Sequence, residues 1–159
     1  MLMGSNEVFD LYEEFKSIIT ALSERGIDYA VCGGLAMAVH GLARATVDID
    51  LLILAEDLEA VKHSAKKLGY EIDAMPMTFS KGAIEIRRVS KIDPETGIVL
   101  SLDLLLVTAQ LAEVWASRLQ VMWEEGALTV VAPKGLIELK SFRGSGQDLD
   151  DIKRLQELL

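Results

Sequence analysis

Two aspartates, Asp48 and Asp50, stand one residue apart in the apolar run TVDIDLLI. Aspartate is depleted in β-structure, so such a pair needs a reason. Side chains along a strand alternate between faces, which puts Asp48 and Asp50 on one face and Val47, Ile49 and Leu51 on the core-facing one. Their β-carbons then lie about 6–7 Å apart, close enough for the carboxylates to converge on shared cations. Two metal ions about 3.5–4 Å apart stabilise both the attacking and the leaving oxygen of a phosphoryl displacement. Without a cation the carboxylates repel and shift each other's pKa. A divalent cation would remove that conflict.

Two further features suit the same chemistry. Asp103 interrupts the apolar run SLDLLLV, sharing a face with Ser101 while Leu102 and Leu104 take the other. Upstream, Gly33-Gly34 lies between a predicted strand and a predicted helix. There the backbone can approach a ligand closely, and the free N–H groups of a helix start favour phosphate. Each feature has an ordinary alternative: a tight turn for the glycines, capping or an ion pair for the aspartates. The combination of strand, glycine pair, helix, D-x-D strand and a later strand aspartate is far more specific.

The elements that must position these residues follow from periodicity. A helical stripe over residues 6–24 (Val8, Phe9, Leu11, Tyr12, Phe15, Ile18, Ile19, Leu22) ends at Gly26. A strand over Asp28–Cys32, a compact helix over Leu35–Leu42 and a strand over Thr46–Leu54 come next. Glu56–Leu68 reads as an amphipathic helix closed by Gly69, with acidic residues at its start. Tyr70–Ala74 is a candidate strand. Ala83–Val89 and Ile98–Val107 form a strand pair around Asp93-Pro94 and Gly97. A helix over Val114–Leu119 precedes a hairpin over Gln120–Val131, turning near Glu125-Gly126. Pro133 starts a helix through Phe142, and GSGQ separates it from a last helix over Asp148–Leu158. This order predicts an α/β (α+β) fold with a mixed sheet.

Composition limits the function classes. The chain has 159 residues, half of them hydrophobic, and is read as one domain, residues 1–159. No apolar run reaches the ~20 residues of a membrane span, and the N-terminus predicts no secretory leader. A single cysteine excludes an internal disulfide and suits a cytoplasmic location. With two histidines and one thiol, any metal would be held by oxygen. The net charge of −9 argues against autonomous binding to nucleic acid. Lys81, Arg87, Arg88 and Lys91 cluster in one stretch, and Lys134, Lys140 and Arg143 in another. Both are read as solvated faces.

The spacing Gly33-Gly34, short helix, Asp48-Ile49-Asp50 resembles the nucleotidyltransferase superfamily of the DNA polymerase beta type. The run GGLAMAVHGLARATVDIDLLI is similar to its minimal and abortive-infection toxin branches. ELKSFRGSGQDLDDIKRL, from Glu138 to Leu155, resembles their late helix pair. The resemblance implies a nucleotidyltransferase-like core, about residues 25–132, with a mixed β-sheet flanked by helices and a C-terminal helix pair, about 133–159. It implies Asp48 and Asp50 as ligands of Mg2+ or Mn2+, and Asp103 as third ligand and candidate general base. It implies Gly33 and Gly34 as the phosphate turn and Lys140 as a triphosphate contact. Gln147 departs from the basic residue that relatives often carry before the aspartate of the last helix.

The activity implied is transfer of a nucleoside monophosphate from an NTP to an acceptor hydroxyl on RNA, protein or a small molecule. A toxin–antitoxin component and an inactive nucleotide-binding scaffold of the same fold are the alternatives. With no further domain expected to close over the acceptor, a homo-oligomer or a partner protein is expected to complete the cleft. Arg44 is open between a phosphate contact and a carboxylate partner. His40 is read as a hydrogen-bonding residue, Cys32 as a buried small hydrophobe, and Trp115 and Trp123 as packing residues rather than base-stacking ones. Without the resemblance, Lys140 would be read as a solvated surface lysine.

Overall fold

The structure is a computed structural model that describes residues 9–42, 46–142 and 146–159. Helix α1, Leu11–Glu24, starts where Asp10 accepts a hydrogen bond from the Glu13 backbone N–H, and it buries Phe15, Ile18, Ile19 and Leu22. The helix thus begins later than its apolar stripe suggests, because Asp10 is a cap; residues 6–8 lie outside the described residues. Strand β1, Ala30–Cys32, runs straight into α2, Gly33–Val39, so the glycine pair opens the helix instead of preceding it. Strand β2, Ile49–Ile53, leads through a short turn into α3, Leu58–Lys67.

Strands β3, Ile72–Asp73, and β4, Met77–Phe79, both pair with β5, Ile84–Ile92. Strand β4 was not foreseen: it is a largely exposed edge segment of 3 residues, too short for alternation to signal a strand. After β5 come β6, Val99–Leu106, helix α4, Ala112–Ala116, and the hairpin β7, Leu119–Trp123, with β8, Gly126–Val130. Helices α5, Pro133–Ser141, and α6, Gly146–Gln156, pack on each other as the expected C-terminal pair.

Among the described residues the strands form one mixed sheet in the order β3-β5-β6-β2-β1-β8-β7, with β4 beside β5. Strand β2 lies at its centre, antiparallel to β1 and parallel to β6. It buries Ile49, Leu51, Leu52 and Ile53 completely, as a strand covered on both faces does. Leu102 and Leu104 of β6 are equally buried. At the far edge, Trp123 packs edge-on against Tyr12 and Phe15 of α1, and Tyr12 donates to Glu124 at 2.6 Å, which ties the hairpin to the first helix.

One expectation about the central strand is corrected. Val47 does not point into the core; it is 77 % exposed, and Asp48 occupies a bend just before β2. The reason is the length of β1. Its last paired residue, Cys32, sits opposite Asp50, and Gly33 then turns away into α2. Residues before Ile49 therefore have no neighbour on that side and leave the sheet.

Candidate active site

The site forms where β1 ends. In the parallel β2–β6 ladder Asp50 is the direct partner of Asp103, which places the two carboxylates on adjacent strands, roughly 4.7–4.9 Å apart at the backbone. Asp48, just before β2, lies close enough that the Asp103 charge helps raise its pKa. Burial is the larger cause, and Arg88 works in the opposite direction. The three aspartates that the D-x-D spacing and the later strand singled out are thus brought together.

Gly33 explains the turn. Its φ is +65°, a left-handed conformation that side chains rarely adopt, and a β-carbon there would lie 2.2 Å from Oδ2 of Asp50. The Asp50 carboxylate rests on the bare glycine backbone. Gly34 is closed by a different residue: a β-carbon there would meet Thr46 at 2.8 Å. Cys32, on the same ladder rung as Asp50, is fully buried. Burial pushes its thiol well up, with Asp50 and Asp103 adding and Lys140 opposing. Cys32 is a core residue.

Arg88 is the residue that the sequence reading missed. It belongs to the basic stretch read as a solvated face, yet it stands opposite Asp103 in the antiparallel β5–β6 ladder. Its Nε donates to Oδ1 of Asp103 at 2.7 Å and its Nη2 to Oδ2 at 2.9 Å. Asp103 is buried, while 38 % of the Arg88 side chain stays accessible. The negative charges of Asp103, Asp48 and Asp50 all raise the Arg88 pKa, the hydrogen bond to Asp103 most. Arg88 and Asp103 lie equally far from the loop between Asp93 and Ile98, but the hairpin register that makes them partners is fixed only in the fold. Two rungs nearer the loop, Ser90 and Ser101 share a buried hydrogen bond of 2.9 Å.

Lys91 and Lys140 also depart from a solvated face, whereas Lys81 and Lys134 are exposed, as that reading expects. Lys91 pairs with Glu14 at 2.6 Å and lies over the rings of Phe9 and Tyr70. Lys140 is 6 % exposed; its ammonium pairs with Asp151 at 2.9 Å and with Asp148 at 3.8 Å, joining α5 to α6. It is not the solvated lysine that its sequence context alone suggests. Arg44 and Arg143 lie outside the described residues. Nε2 of His40 lies 2.8 Å from the Val131 carbonyl oxygen, as expected of a hydrogen-bonding histidine. Trp115 stacks with Arg118, whose guanidinium is 3.7 Å from the ring centre.

Three carboxylates are hard oxygen donors of the kind Mg2+ and Mn2+ take. Among the described residues no three metal-ligating side chains already converge as a cage. Both oxygens of Asp103 are turned to Arg88, a cation in their midst, so the donor set accommodates positive charge and fits a divalent ion by type. A depression of about 490 Å³, lined in part by Asp28, Tyr29, Arg118 and Thr129, lies toward the other end of β1 and includes none of these residues. The aspartate site is inferred from its chemistry, not from concavity.

No family model matches the chain, and no curated protein matches it in sequence. Solved structures do. A candidate nucleotidyltransferase from Thermotoga maritima is similar with a TM-score of 0.64 and 12% identity, covering 94% of both chains. A nucleotidyltransferase-like antigenic protein from Paracoccidioides brasiliensis gives a TM-score of 0.53 at 20% identity, covering 91% of this chain and 75% of that one. ANT(2")-Ia, solved with adenylyl-2"-tobramycin, gives 0.59 at 14% identity, covering 89% and 84%. The mixed sheet, its flanking helices and the C-terminal helix pair are those of the nucleotidyltransferase fold.

Proposed function

We propose that this protein is a Mg2+- or Mn2+-dependent nucleotidyltransferase that transfers a nucleoside monophosphate from an NTP to an acceptor hydroxyl, with pyrophosphate leaving. The observation that supports this reading is the pairing of Asp50 with Asp103 across β2 and β6, with the Asp50 carboxylate seated on Gly33, in a fold shared with nucleotidyltransferases. Asp48, Asp50 and Asp103 would hold the cation. When bound, it neutralises the triphosphate and lowers the pKa of the attacking hydroxyl. The Gly33-Gly34 backbone, free of side chains, approaches the phosphates. Asp103, once an oxygen is released by Arg88, would take the hydroxyl proton. Lys140, paired with Asp151, adds positive charge that is felt at Cys32. Much of the acceleration would come from orienting the acceptor in line with the leaving group.

Two facts support a small hydroxyl compound as acceptor, neutral or cationic, over an RNA end. The chain carries a net charge of −9, which repels polyphosphate chains. The similar ANT(2")-Ia is solved with an adenylylated aminoglycoside. A second reading has one observation in its favour: the Arg88–Asp103 pair satisfies the carboxylate without any metal, as a nucleotide-binding scaffold that does not turn over would.

Incubating the protein with each labelled NTP, Mg2+ or Mn2+, and aminoglycosides, total RNA or lysate protein separates the readings. The transferase reading expects label on one acceptor class, lost in Asp50→Asn. Metal-dependent thermal stabilisation by NTP without any transfer supports the scaffold. If no NTP stabilises the protein with metal present, both readings fall.

A further inference from the structure

Arg88 engages both oxygens of Asp103 through two parallel hydrogen bonds, and the charges of Asp48 and Asp50 are near enough to act on it. Asp103 is almost sealed from water, so its charge cannot be left to solvent. The outer part of the guanidinium is accessible, with 38 % of the side chain exposed. A planar fork of donors of this kind binds carboxylate or phosphate equally well.

We propose that Arg88 is a positioning residue that stands in for the cation at Asp103 and, on loading, exchanges Asp103 for the phosphates of the incoming nucleotide. The proposal rests on the nucleotidyltransferase reading of the site. A divalent ion that ligates Asp103 takes at least one oxygen from the guanidinium. The released donors then need an acceptor, and the triphosphate arrives with several. Metal alone breaks the Arg88 pair without replacing it. Nucleotide alone leaves the Arg88 guanidinium divided between Asp103 and the phosphates. Together they satisfy every group, so metal and nucleotide bind cooperatively, and the cooperativity runs through Arg88.

In the structure both oxygens of Asp103 are bonded to Arg88. The third ligand is held by an internal cation until a substitute comes. It also orients Asp103: two bonds fix the plane of the carboxylate in the ladder, where a lone carboxylate would rotate.

The test is calorimetry on the full chain with Mn2+ alone, with a non-hydrolysable analogue of the preferred NTP in EDTA, and with both. Wild type is expected to bind Mn2+ weakly alone and more tightly once the analogue is present. Arg88→Gln is expected to bind Mn2+ alone about tenfold or more tighter than wild type, and to lose most of the metal–nucleotide coupling. Arg88→Lys keeps the charge without the fork, so it should fall between the two; it also serves as the readout if Arg88→Gln does not fold. Mn2+ affinity and coupling unchanged in a folded Arg88 variant would overturn the proposal and leave a purely structural ion pair. If wild type itself binds neither Mn2+ nor the analogue, the nucleotidyltransferase reading fails and the proposal falls with it.

Discussion

Gly33 carries two constraints that can be separated. Its φ of +65° disfavours any side chain, and its missing β-carbon leaves room for Asp50, whose Oδ2 would lie 2.2 Å from it. Gly26 has nearly the same backbone conformation, φ +67°, with nothing within 4 Å of its virtual β-carbon. Gly26→Ala should therefore cost only the conformational strain, about 1 kcal/mol. Gly33→Ala should cost more, about 2–3 kcal/mol, and should also displace Asp50. Urea unfolding of both variants with a Mn2+ titration checks this. Equal stability losses with Mn2+ binding intact in Gly33→Ala would mean that Asp50 is not held against the turn. The same logic explains why Arg88 escaped the sequence reading. A basic residue in a charged stretch is usually solvated, and only its strand partner shows otherwise.

At the level of elements, the α5–α6 pair is joined by a buried cation. Lys140 on α5 reaches Asp151 and Asp148 on α6, and all three side chains are nearly or wholly sealed from solvent. Breaking a buried ion pair from one side typically costs about 3–5 kcal/mol, because the remaining charge is stranded. Asp148 and Asp151 have further interactions, so Lys140→Met should fall at the low end, about 3 kcal/mol. Adding Asp151→Asn to Lys140→Met should recover part of the loss, since the stranded charge goes with it. The two urea midpoints decide the matter. A Lys140→Met variant as stable as wild type would show that the lysine is not required to hold the helices together. In that case a direct role toward the triphosphate becomes the better account of its position.

The whole molecule carries 25 acidic against 16 basic residues. That excess acts over distances set by the Debye length, about 10 Å at 0.1 M salt. For a cationic hydroxyl acceptor, kcat/KM should fall as ionic strength rises from 0.05 to 0.5 M, by roughly tenfold. For an RNA acceptor the trend should reverse, because salt would relieve repulsion. Initial rates across a salt series, with NTP saturating, distinguish the two classes. A rate that rises with salt for an aminoglycoside would count against electrostatic attraction of the acceptor. Among the described residues no helix is long and apolar enough to cross a membrane, in keeping with the interrupted apolar runs of the sequence.

The sequence by itself determined the types of group and their order: D-x-D at 48–50, the strand aspartate at 103, the glycine pair at 33–34, and the amphipathic helices around them. These are local signals. Apolar spacing, caps and glycines act within a few residues of where they stand. They led to the mixed fold, to Asp50 and Asp103 side by side on β2 and β6, and to Asp48 just before β2. Tertiary structure alone decided what each charge faces. Arg88 meets Asp103 because a hairpin register brings them opposite. Lys140 is buried because α6 folds back over α5. Val47 leaves the sheet because β1 is too short to pair with it. Each of these depends on contacts between residues distant in the chain, and periodicity along one segment contains no information about which other segment will cover it.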